Sequence, residues 1–300
     1  MSIQDITIVI TSFKSDEKIR DCLNSIQNKC KVLLIENSNN SEFKKKIEIE
    51  FDNVECFLTG ENLGYGRANN VGLKKVKTKY ALILNPDTLL EQSTLNDFFN
   101  ITKTIGNFAI IGPYIQEKNL ENNTVDNNKI KMSATSKIDL HKNSKPLLNL
   151  NLRLVENVKG FAMFLNLQEF NEIGFFDENF FIYFEEIDLC RRAIKDNKKI
   201  YLAPSIKINH SGGQSHNNSI NSEMELSRNW HWMWSTFYYH KKYDGFTFAL
   251  IKTFGKLLSS MFKLLVYLII LNKKWKIYYQ RFSGLINAII GKKSWYRPKV

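Results

Sequence analysis

The sequence predicts an α/β fold, in which a mostly parallel central sheet is flanked by helices and followed by a helical extension at the C-terminus. Short apolar runs alternate with amphipathic segments through the first third of the chain. That alternation is typical of a parallel sheet covered on both faces. From Phe246 onward, apolar and basic residues interleave. The 300 residues are enough for one large domain or two modest ones.

The first third contains five apolar runs, each short and bounded by polar residues. We expect these runs to be buried strands, at residues 6–10, 31–35, 54–58, 80–84 and 108–111. Three segments between them are expected to be helices, at residues 16–27, 65–77 and 93–105. In the first of these, Ile19, Leu23 and Ile26 share one helical face. In such sheets, ligands bind beyond the carboxyl ends of the strands.

The second half of the chain is less regular. Residues 117–150 are rich in Asn and Lys, which indicates a surface loop or a partly disordered insertion. Residues 158–165 are strand-like, whereas residues 185–197 and 222–242 suit helices. No internal repeat is evident in the sequence.

Charge is distributed very unevenly along the chain. Residues 1–240 hold 29 Lys and Arg against 29 Asp and Glu, whereas residues 241–300 hold 13 Lys and Arg and one acid, Asp244. The whole formal excess of +12 therefore lies in the last sixty residues. We expect a main domain at residues 1–240, which is not a general polyanion binder, and a basic amphipathic tail at residues 241–300.

The cysteines and the N-terminal residues give information about the cellular compartment in which the protein works. The four cysteines form no C-x-x-C pair and stand beside no histidine cluster, which argues against a zinc site and a disulfide framework; they are Cys22, Cys30, Cys56 and Cys190. The first residues lack a basic stretch followed by an apolar core, so no secretory signal is expected. We therefore expect reduced thiols and a cytoplasmic location.

Polar residues follow three of the predicted strands. They are Thr11-Ser12-Phe13, Glu36-Asn37-Ser38 and Asn85-Pro86-Asp87. Asn-Pro-Asp is also a good turn sequence, and taken alone a turn is the better interpretation. Its position after a wholly apolar strand favours a second role, because a carboxylate there can hold a divalent ion against a phosphate.

Residues 60–70 form a glycine-punctuated loop that opens a helix. Backbone amides at a helix N-terminus attract phosphate and other polar groups, and Arg67 adds a cation. The loop follows the third strand, not the first, and lacks the G-x-G-x-x-G spacing of dinucleotide-binding proteins. The alternative is an ordinary turn between strand and helix with a surface arginine.

His210 ends a further apolar stretch and is followed, after Ser211, by two glycines that suggest a tight or mobile segment. A lone histidine is more often structural than a ligand. Here Asp87 is a candidate partner, and a carboxylate–imidazole pair suits Mn²⁺ or Mg²⁺ weakly and zinc equally well.

Residues 175–192 combine a dense aromatic run with three acids and two arginines. Aromatic side chains bury and rigidify a segment, whereas uncompensated carboxylates resist burial. This favours a shaped cavity with an acid at its floor, supplied by Glu185, Glu186 or Asp188. Alternatively, the acids only stabilise the start of a helix through its dipole.

Together these segments resemble the inverting glycosyltransferases of family 2, which have the GT-A fold, and most of all the rhamnosyltransferase-like members that build bacterial surface polysaccharides such as O-antigen or capsule. The resemblance covers roughly residues 5–240 in the family's order. It is carried by residues 8–13, 35–38, 62–70, 84–87, 158–163, 175–192 and 209–210. The last sixty residues lie outside it, although many relatives also end in basic, apolar helices.

The resemblance implies a role for each matching position. Those expected to bind the nucleotide-sugar are Thr11, Phe13, Glu36, Asn62, Gly64, Arg67, Asn85, Asp87 and Gly160. Asn85-Pro86-Asp87 matches the family's D-x-D metal motif with Asn in place of the first acid, so Asp87 and His210 would hold Mg²⁺ or Mn²⁺. Glu186 matches the catalytic base, where the family most often has Asp, and Glu185 and Asp188 flank it. The family also usually has Asp at the position of Glu36.

The expected reaction is one displacement with inversion at the sugar. A metal ion stabilises the diphosphate leaving group, and a carboxylate takes the acceptor proton. The resemblance implies a dTDP- or UDP-sugar donor, with rhamnose the leading sugar, and a saccharide or lipid-linked saccharide acceptor. The second possibility is transfer of galactose or N-acetylglucosamine from a UDP-sugar. The third is that the protein is a non-catalytic nucleotide-binding scaffold at the membrane. The sequence leaves the oligomeric state open.

The tail suggests a partner of its own. Aromatic and basic residues mix in residues 230–242, and residues 246–300 continue the pattern. We consider three interpretations of this segment. They are binding to an anionic membrane surface, binding to a nucleic acid, and a helical subdomain that is only solvated or forms a dimer interface. We favour the membrane over nucleic acid because apolar windows separate the lysines, which predicts a peripheral protein on the inner face of the cell membrane. The most apolar window, residues 261–271, is shorter than the about 20 residues that span a bilayer.

Overall fold

The computed structural model of the protein describes residues 3–27, 29–117, 152–210 and 218–299. Nearly all of the predicted Asn/Lys-rich insertion, and the glycines after His210, lie outside these residues. The chain divides into two compact units. The first consists of Met1–Leu63, Ala68–Phe176 and Leu189–Asn217, and the second of Gly64–Arg67, Asp177–Asp188 and Asn218–Val300.

The first unit is built on one sheet, which has nine strands within the described residues. The strands are β1 Ile6–Ser12, β2 Lys31–Glu36, β3 Val54–Leu58, β4 Tyr80–Leu84, β5 Thr88–Leu90, β6 Ile110–Glu117, β7 Arg153–Leu154, β8 Ala162–Asn166 and β9 Ile200–His210. Their order across the sheet is β3-β2-β1-β4-β8-β6-β9-β5, and β7 pairs with β9. The five predicted strands are all present, which confirms the α/β class.

The helices follow the prediction with one addition. They are α1 Lys18–Ile26, α2 Ser41–Glu50, α3 Tyr65–Leu73, α4 Thr94–Thr104, α5 Glu185–Lys195, α6 Asn221–Asp244, α7 Phe246–Ile269 and α8 Trp275–Ile289. The sequence analysis did not predict α2. Its buried residues are only Phe43 and Ile47, so its apolar periodicity is weak. Asn40 caps it by accepting a hydrogen bond from the Phe43 amide at 3.0 Å.

The parallel part of the sheet is β3-β2-β1-β4. Ile10 stands opposite Leu34 on one side and Leu84 on the other, and all three side chains are fully buried. Strands that carry apolar side chains on both faces are typical of a covered parallel sheet. Beyond β4 the pairing is mixed: β8 runs antiparallel to both β4 and β6, and β6 runs parallel to β9. Antiparallel pairing also joins β5 to β9.

The second unit contains the long helices α6, α7 and α8. Its core is formed by Trp230, Met233, Trp234, Phe237, Ala249, Leu285 and Ala288. Gly284 lies so close to the Trp230 carbonyl oxygen that a Cβ there would collide with it. Trp230 and Trp234 are therefore core residues, and the expectation that the tryptophans of residues 230–242 belong to a surface-binding segment is wrong for these two. Among the described helices, none is long and apolar enough to cross a membrane.

Candidate functional site

Asn85-Pro86-Asp87 forms a turn at the carboxyl end of β4. The Asn85 carbonyl accepts hydrogen bonds from the Thr88 amide at 3.2 Å and the Thr88 hydroxyl at 2.7 Å. The Asn85 amide donates to the Phe161 carbonyl at 2.8 Å. Gly160 directly precedes Phe161, so this predicted residue lies beside the turn. The turn interpretation is correct, and the turn leaves Asp87 buried at the strand end.

Asp87 has an unusual environment for a carboxylate. Its side chain is only 1% exposed, and neither carboxylate oxygen has a hydrogen-bond partner. The nearest cation candidate is His210, whose Nε2 lies 3.4 Å from Asp87 Oδ1 and is itself buried without a hydrogen bond. A buried carboxylate that lacks donors is costly unless a positive charge compensates it.

Strand β5 brings these two residues together. Thr88 stands opposite His210 in the antiparallel β5–β9 pair, so Asp87 lies next to the histidine. The Phe161 ring stacks on the imidazole with centroids 4.9 Å apart, which fixes the orientation of the ring. Sequence analysis proposed the Asp87–His210 pairing but did not predict the three-residue strand that creates it.

The donor set suits a divalent cation. Carboxylate oxygen and imidazole nitrogen both ligate Mn²⁺ and Mg²⁺, and Mg²⁺ is commonly held by one or two protein groups together with substrate phosphates. No group of three or more His, Cys, Asp or Glu side chains within the described residues is arranged to hold a metal. Asp87 and His210 would therefore supply two of the ligands of a divalent ion, and further oxygen atoms would complete its coordination.

The carboxyl end of β1 adds two hydroxyl groups. Thr11 Oγ1 and Ser12 Oγ are both buried and have no hydrogen-bond partner. The Ser12 carbonyl accepts from the Asn37 amide at 2.8 Å, which aligns the ends of β1 and β2. Phe13 follows in a tight turn, in which its carbonyl accepts from the Ser15 hydroxyl at 3.1 Å. Ser12 was not among the predicted site residues.

The carboxylate of Glu36, at the end of β2, accepts hydrogen bonds from residues close to it in sequence. One carboxylate oxygen accepts hydrogen bonds from the amide and hydroxyl of Ser38, and the other accepts from the Asn40 amide at 2.7 Å. These contacts fold the chain into the start of α2. The nucleotide contact expected of Glu36 remains a prediction, and it would compete with these three donors.

Asn37 was expected at this edge of the sheet as one of the polar residues after the second strand, but the sequence assigned it no role of its own. Its side-chain oxygen accepts from the Leu63 amide at 2.9 Å and the Thr59 hydroxyl at 3.1 Å, and its Nδ2 donates to Asn62 Oδ1 at 3.0 Å. Asn37 therefore anchors the segment 59–63 to the end of β2. Its position directly after a buried strand is the sequence signal that placed it at this edge of the sheet.

In the second unit, the beginning of α3 packs on the aromatic segment. The Tyr65 amide donates to the Phe181 carbonyl at 2.8 Å. Gly64 has φ +81°, and a Cβ there would collide with the same carbonyl oxygen. Arg67 Nε lies 3.7 Å from Glu178 Oε2, and because both side chains are exposed this ion pair is weak. The glycine at position 64 is required by conformation and by close approach.

The aromatic segment is locally strained just before the acids. Tyr183 and Phe184 both have φ of 72°, a left-handed conformation that bulky residues rarely adopt. The segment is held against α6: Ser235 donates to the Ile182 carbonyl at 2.9 Å, and Phe184 packs against Trp232. Strain of this kind persists only where the surrounding structure fixes it, and it often accompanies functional sites.

Glu185 and Glu186 begin α5 immediately after this strain. Glu185 is 4% exposed, and its Oε2 has no hydrogen-bond partner. Burial, and then the negative charges of Glu186 and Asp188, raise the pKa of Glu185 well above its ordinary value. Burial also raises the pKa of the half-buried Glu186, while hydrogen bonds from the helix-start amides oppose the rise.

Asp188 differs from the two glutamates because its carboxylate is engaged. It is fully buried, and its Oδ1 accepts from Lys242 Nζ at 2.5 Å and from the Tyr243 hydroxyl at 2.7 Å. Lys242 also donates to Asp177 Oδ2 at 2.7 Å. Although burial raises the pKa of Asp177, hydrogen bonds from Lys242 and Asn179 outweigh it and lower the pKa. Asp188 is thus placed to hold the segment, which fits the flanking position predicted for it.

Residues 7–188 match the family described as Glycosyl transferase family 2. The chain belongs to this family.

Two family relatives indicate the range of related activities. The chain is 27% identical over 207 residues to the low-salt glycan biosynthesis hexosyltransferase Agl10 of Haloferax volcanii, a match that covers 66% of this chain and 64% of the relative. It is 22% identical over 218 residues to the rhamnosyltransferase WbbL of Escherichia coli strain K12, covering 68% of this chain and 82% of the relative. The match thus spans somewhat less than two thirds of the archaeal relative.

Solved structures share the fold at low identity. Residues 1–349 of S. aureus TarS superpose with a TM-score of 0.53 at 13% identity, covering 99% of this chain and 93% of that one. The mannosyltransferase PcManGT of Pyrobaculum calidifontis, solved with GDP-Man and Mn²⁺, gives a TM-score of 0.53 at 10% identity and covers 95% and 86%. These likenesses confirm the GT-A fold that the sequence resemblance implied.

In this family 2 fold, the predicted site residues fall into two groups. The first unit carries Thr11, Phe13, Glu36, Asn62, Asn85, Asp87, Gly160 and His210, most of them at or just beyond strand ends. The second unit carries Gly64, Arg67, Glu185, Glu186 and Asp188. Within the first group, Asp87 and His210 lie in direct contact. In the second group, Gly64 contacts Phe181, Arg67 contacts Glu178 and Asp188 contacts Lys242.

Proposed function

We propose that this protein is an inverting glycosyltransferase that moves a sugar from a dTDP- or UDP-sugar to a hydroxyl of a saccharide or lipid-linked saccharide. The observation that carries the proposal is the Asp87 carboxylate, which is buried at the end of β4 without a hydrogen bond and lies 3.4 Å from His210. A carboxylate in that state needs a cation, and a nucleotide-sugar brings the diphosphate that completes the coordination.

Asp87 and His210 would hold the divalent ion, Mg²⁺ or Mn²⁺. When bound, such an ion neutralises charge that develops on a departing diphosphate. The mannosyltransferase PcManGT, which shares the fold, was solved with Mn²⁺, which supports a divalent metal without choosing between Mg²⁺ and Mn²⁺. The remaining protein groups near the strand ends, Thr11 Oγ1 and Ser12 Oγ, are buried hydroxyls that a nucleotide can use as partners.

Glu186 would act as the general base that takes the proton from the acceptor hydroxyl. A base works best when its pKa lies near the working pH, and burial shifts the pKa of Glu186 upward in that direction. Burial and the negative charges of Glu186 and Asp188 also raise the pKa of Glu185, which favours its protonated form. One displacement without a covalent intermediate would invert the anomeric centre.

Rhamnose is the proposed sugar, and its support is the bacterial rhamnosyltransferase relative together with the Asn-Pro-Asp sequence. The archaeal hexosyltransferase relative supports the second candidate, transfer of a hexose such as galactose or N-acetylglucosamine from a UDP-sugar. The product would belong to a surface polysaccharide, such as O-antigen or capsule. A non-catalytic scaffold is the alternative that fails if the purified protein turns over any donor.

The deciding experiment is a thermal-shift screen of dTDP- and UDP-sugars with and without Mn²⁺ or Mg²⁺, followed by transfer and donor-hydrolysis assays on each hit. A donor that binds the folded state raises the melting temperature. We expect a metal-dependent shift with one donor, loss of transfer in Glu186→Gln and a smaller loss in Glu185→Gln. Full activity of Glu186→Gln would remove Glu186 as the base, and no shift with any donor would count against a transferase.

We further propose that residues 246–300 place the protein on an anionic membrane surface at the inner face of the cell membrane. Helix α7 supports this, because its exposed face is apolar along its whole length: Phe248, Ile251, Phe254, Leu258, Met261, Phe262, Leu265, Leu268 and Ile269. The stripe continues into the turn after the helix, where Leu271 is 90% exposed. Exposed apolar faces of this size mark contact with a partner or a membrane.

Charge favours lipid over a second copy of the chain. Residues 246–300 contain eleven Lys and Arg and no acid. Lys252, Lys256 and Lys263 are spaced so that they lie along one flank of the apolar stripe. Two such helices would repel each other, whereas an anionic surface attracts the lysines while the apolar side chains enter the lipid. The proposed contact is therefore a peripheral helix in the plane of the membrane surface.

A further inference from the structure

Lys242 connects the two ends of the segment that carries the acid pair. Its Nζ donates to Asp177 Oδ2 at 2.7 Å and to Asp188 Oδ1 at 2.5 Å. Asp177 and Asp188 are the first and last residues of the stretch Asp177–Asp188, which contains Glu185 and Glu186. A single ammonium group therefore fastens both ends of this stretch to helix α6.

Two tyrosines of the same helix reinforce the contact. The Tyr238 hydroxyl donates to Asp177 Oδ2 at 3.1 Å, and the Tyr243 hydroxyl donates to Asp188 Oδ1 at 2.7 Å. Tyr238 and Lys242 are four positions apart and share one face of α6, and Tyr243 directly follows Lys242, so the three donors come from less than two turns of the helix. We call these three residues the α6 clamp.

The charges show why a cation is needed at this position. The twelve residues 177–188 carry five carboxyl groups, those of Asp177, Glu178, Glu185, Glu186 and Asp188. Glu185 and Asp188 are almost completely buried, and Glu185 lies within the influence of both Glu186 and Asp188. Lys242 reaches the buried Asp188 carboxylate with a side chain that is itself 26% exposed, so its ammonium offsets part of this negative charge while it stays in contact with solvent.

The backbone gives a second reason. Tyr183 and Phe184, inside the clamped stretch, have φ of 72°. Their conformation directly precedes the acid pair, so it sets the direction in which the two glutamates leave the chain. A strained conformation relaxes unless its ends are held, and the α6 clamp holds both.

We propose that Lys242 is a positioning residue for the acid pair, which fixes the stretch Asp177–Asp188 in place and supplies the positive charge that lets its carboxylates coexist. This inference rests on the proposed transferase function for its catalytic consequence. The charged and titratable groups around the acid pair include Tyr183, Arg228 and Asp188, and Asp188 in turn contacts Lys242 and Tyr243. Asp177 and Glu178 lie at the beginning of the same stretch. Removing the Lys242 ammonium therefore takes away the ion-pair contact that Asp177 and Asp188 share.

The test compares Lys242→Met with Lys242→Arg in the full chain, by pH–rate profiles with the donor that the screen identifies. Without the ammonium, the nearby negative charges make Glu185 and Glu186 harder to ionise. We expect Lys242→Met to lower kcat by about 10- to 100-fold, to change the donor KM by less than about threefold, and to move the acidic limb of kcat/KM to higher pH. Lys242→Arg keeps the charge and should keep the limb.

The Asp177→Asn variant should shift the acidic limb of kcat/KM in the opposite direction. It removes one negative charge while Lys242 and Asp188 remain, so the acidic limb should move slightly to lower pH. This variant keeps the Asp188–Lys242 pair and stays informative if Lys242→Met does not fold. If the acidic limb of kcat/KM is unchanged in Lys242→Met, the positioning role is overturned, even if the variant is less stable. If Lys242→Met does not fold, an unchanged acidic limb in Asp177→Asn overturns it in the same way.

Hydrogen exchange of the amides in residues 177–188 separates this inference from the proposed function. If the wild-type protein transfers no sugar, the transferase proposal fails, but Lys242→Met should still expose these amides to faster exchange than Lys242→Arg does. Equal exchange in the two variants would overturn the clamp itself.

Discussion

The Nε2 atom of His210 lies 3.4 Å from Oδ1 of Asp87, and neither atom has a hydrogen-bond partner. Two polar groups buried side by side in this way are more typical of a ligand site than of a stable core, in which buried polar groups are almost always hydrogen-bonded. The pair therefore costs stability in the free protein and is available to a cation.

The first prediction concerns Asp87→Asn. Without a metal ion at pH 8, this variant should be as stable as the wild type or more stable by about 1–3 kcal/mol, because it removes an uncompensated buried charge. Transfer should fall by at least about 100-fold, and the metal-dependent thermal shift with donor should disappear. Urea unfolding, calorimetry and the transfer assay measure the three quantities.

The control for this variant is Asp52→Asn, since Asp52 is exposed at the other end of the sheet, before β3. It should change neither activity nor stability. If Asp87→Asn destabilised the protein by several kcal/mol, the carboxylate would be a structural group, and the metal site would have to lie elsewhere.

The second prediction concerns the pH dependence of stability through Glu185. Because the folded state raises the pKa of this carboxyl above 4.5, the unfolded chain releases the proton first as the pH rises. The contribution of Glu185 to the free energy of unfolding is therefore largest below pH 4.5. It is lost progressively as the pH rises from 4.5 to the folded-state pKa. Glu185→Gln should match the wild type near pH 4 and exceed it by about 1–3 kcal/mol at pH 8.

Unfolding free energies across this pH range provide the measurement. Glu225→Gln, at an exposed position of α6, is the matched control and should follow the wild-type curve. A Glu185→Gln curve parallel to the wild type at all pH values would mean that Glu185 ionises normally in the folded protein.

Sequence patterns were sufficient for the parallel half of the sheet, because β1, β2, β3 and β4 are apolar runs that need no partner to be recognised. They failed for β5, which has only three residues and exists because it pairs with β9. That pairing is what brings Asp87 to His210, so the sequence could name both residues but not the contact that defines the site.

The second unit shows a different limit. Nothing in residues 183–184 signals a left-handed backbone, since aromatic residues disfavour it. Lys242 was grouped with the basic tail by composition, yet it forms ion pairs with Asp177 and Asp188, which lie 65 and 54 positions away. Both features depend on tertiary contacts with α6, and a pattern along the chain carries no information about them.

The third prediction uses a natural pair of glycines. Gly60 and Gly64 have nearly the same φ, +80° and +81°, but a Cβ at Gly60 meets nothing within 4 Å, whereas one at Gly64 meets the Phe181 carbonyl. Gly60→Ala should cost about 1–2 kcal/mol, the cost of the left-handed conformation alone. Gly64→Ala should cost about 1–3 kcal/mol more, because the collision must be relieved.

Thermal and urea unfolding of the two variants give this difference directly. Because the two glycines have nearly the same φ, the cost of that conformation is common to both variants. The difference between their losses in unfolding free energy therefore measures how tightly the beginning of α3 packs on the aromatic segment. Equal losses in both variants would show that the Gly64–Phe181 contact yields easily.

The fourth prediction concerns the apolar face of α7. Replacing Ile251, Phe254, Phe262 and Leu265 by Ser should reduce binding to vesicles of anionic lipid by at least about tenfold, because each side chain loses its transfer into the lipid. These side chains are exposed by 53–69%, so folding and the donor-induced thermal shift should be unchanged. Vesicle co-sedimentation measures the binding.

Two further variants separate the contributions to this binding. Replacing Lys252, Lys256 and Lys263 by Gln should weaken binding to anionic vesicles and flatten its salt dependence, because lysines contribute through charge that salt screens. Ile49→Ser, which removes an 82% exposed apolar residue from α2, should leave binding unchanged. If the four serine substitutions left vesicle binding intact but converted a dimer to a monomer in light scattering, the face would belong to a second copy of the chain, despite the repulsion between its lysines.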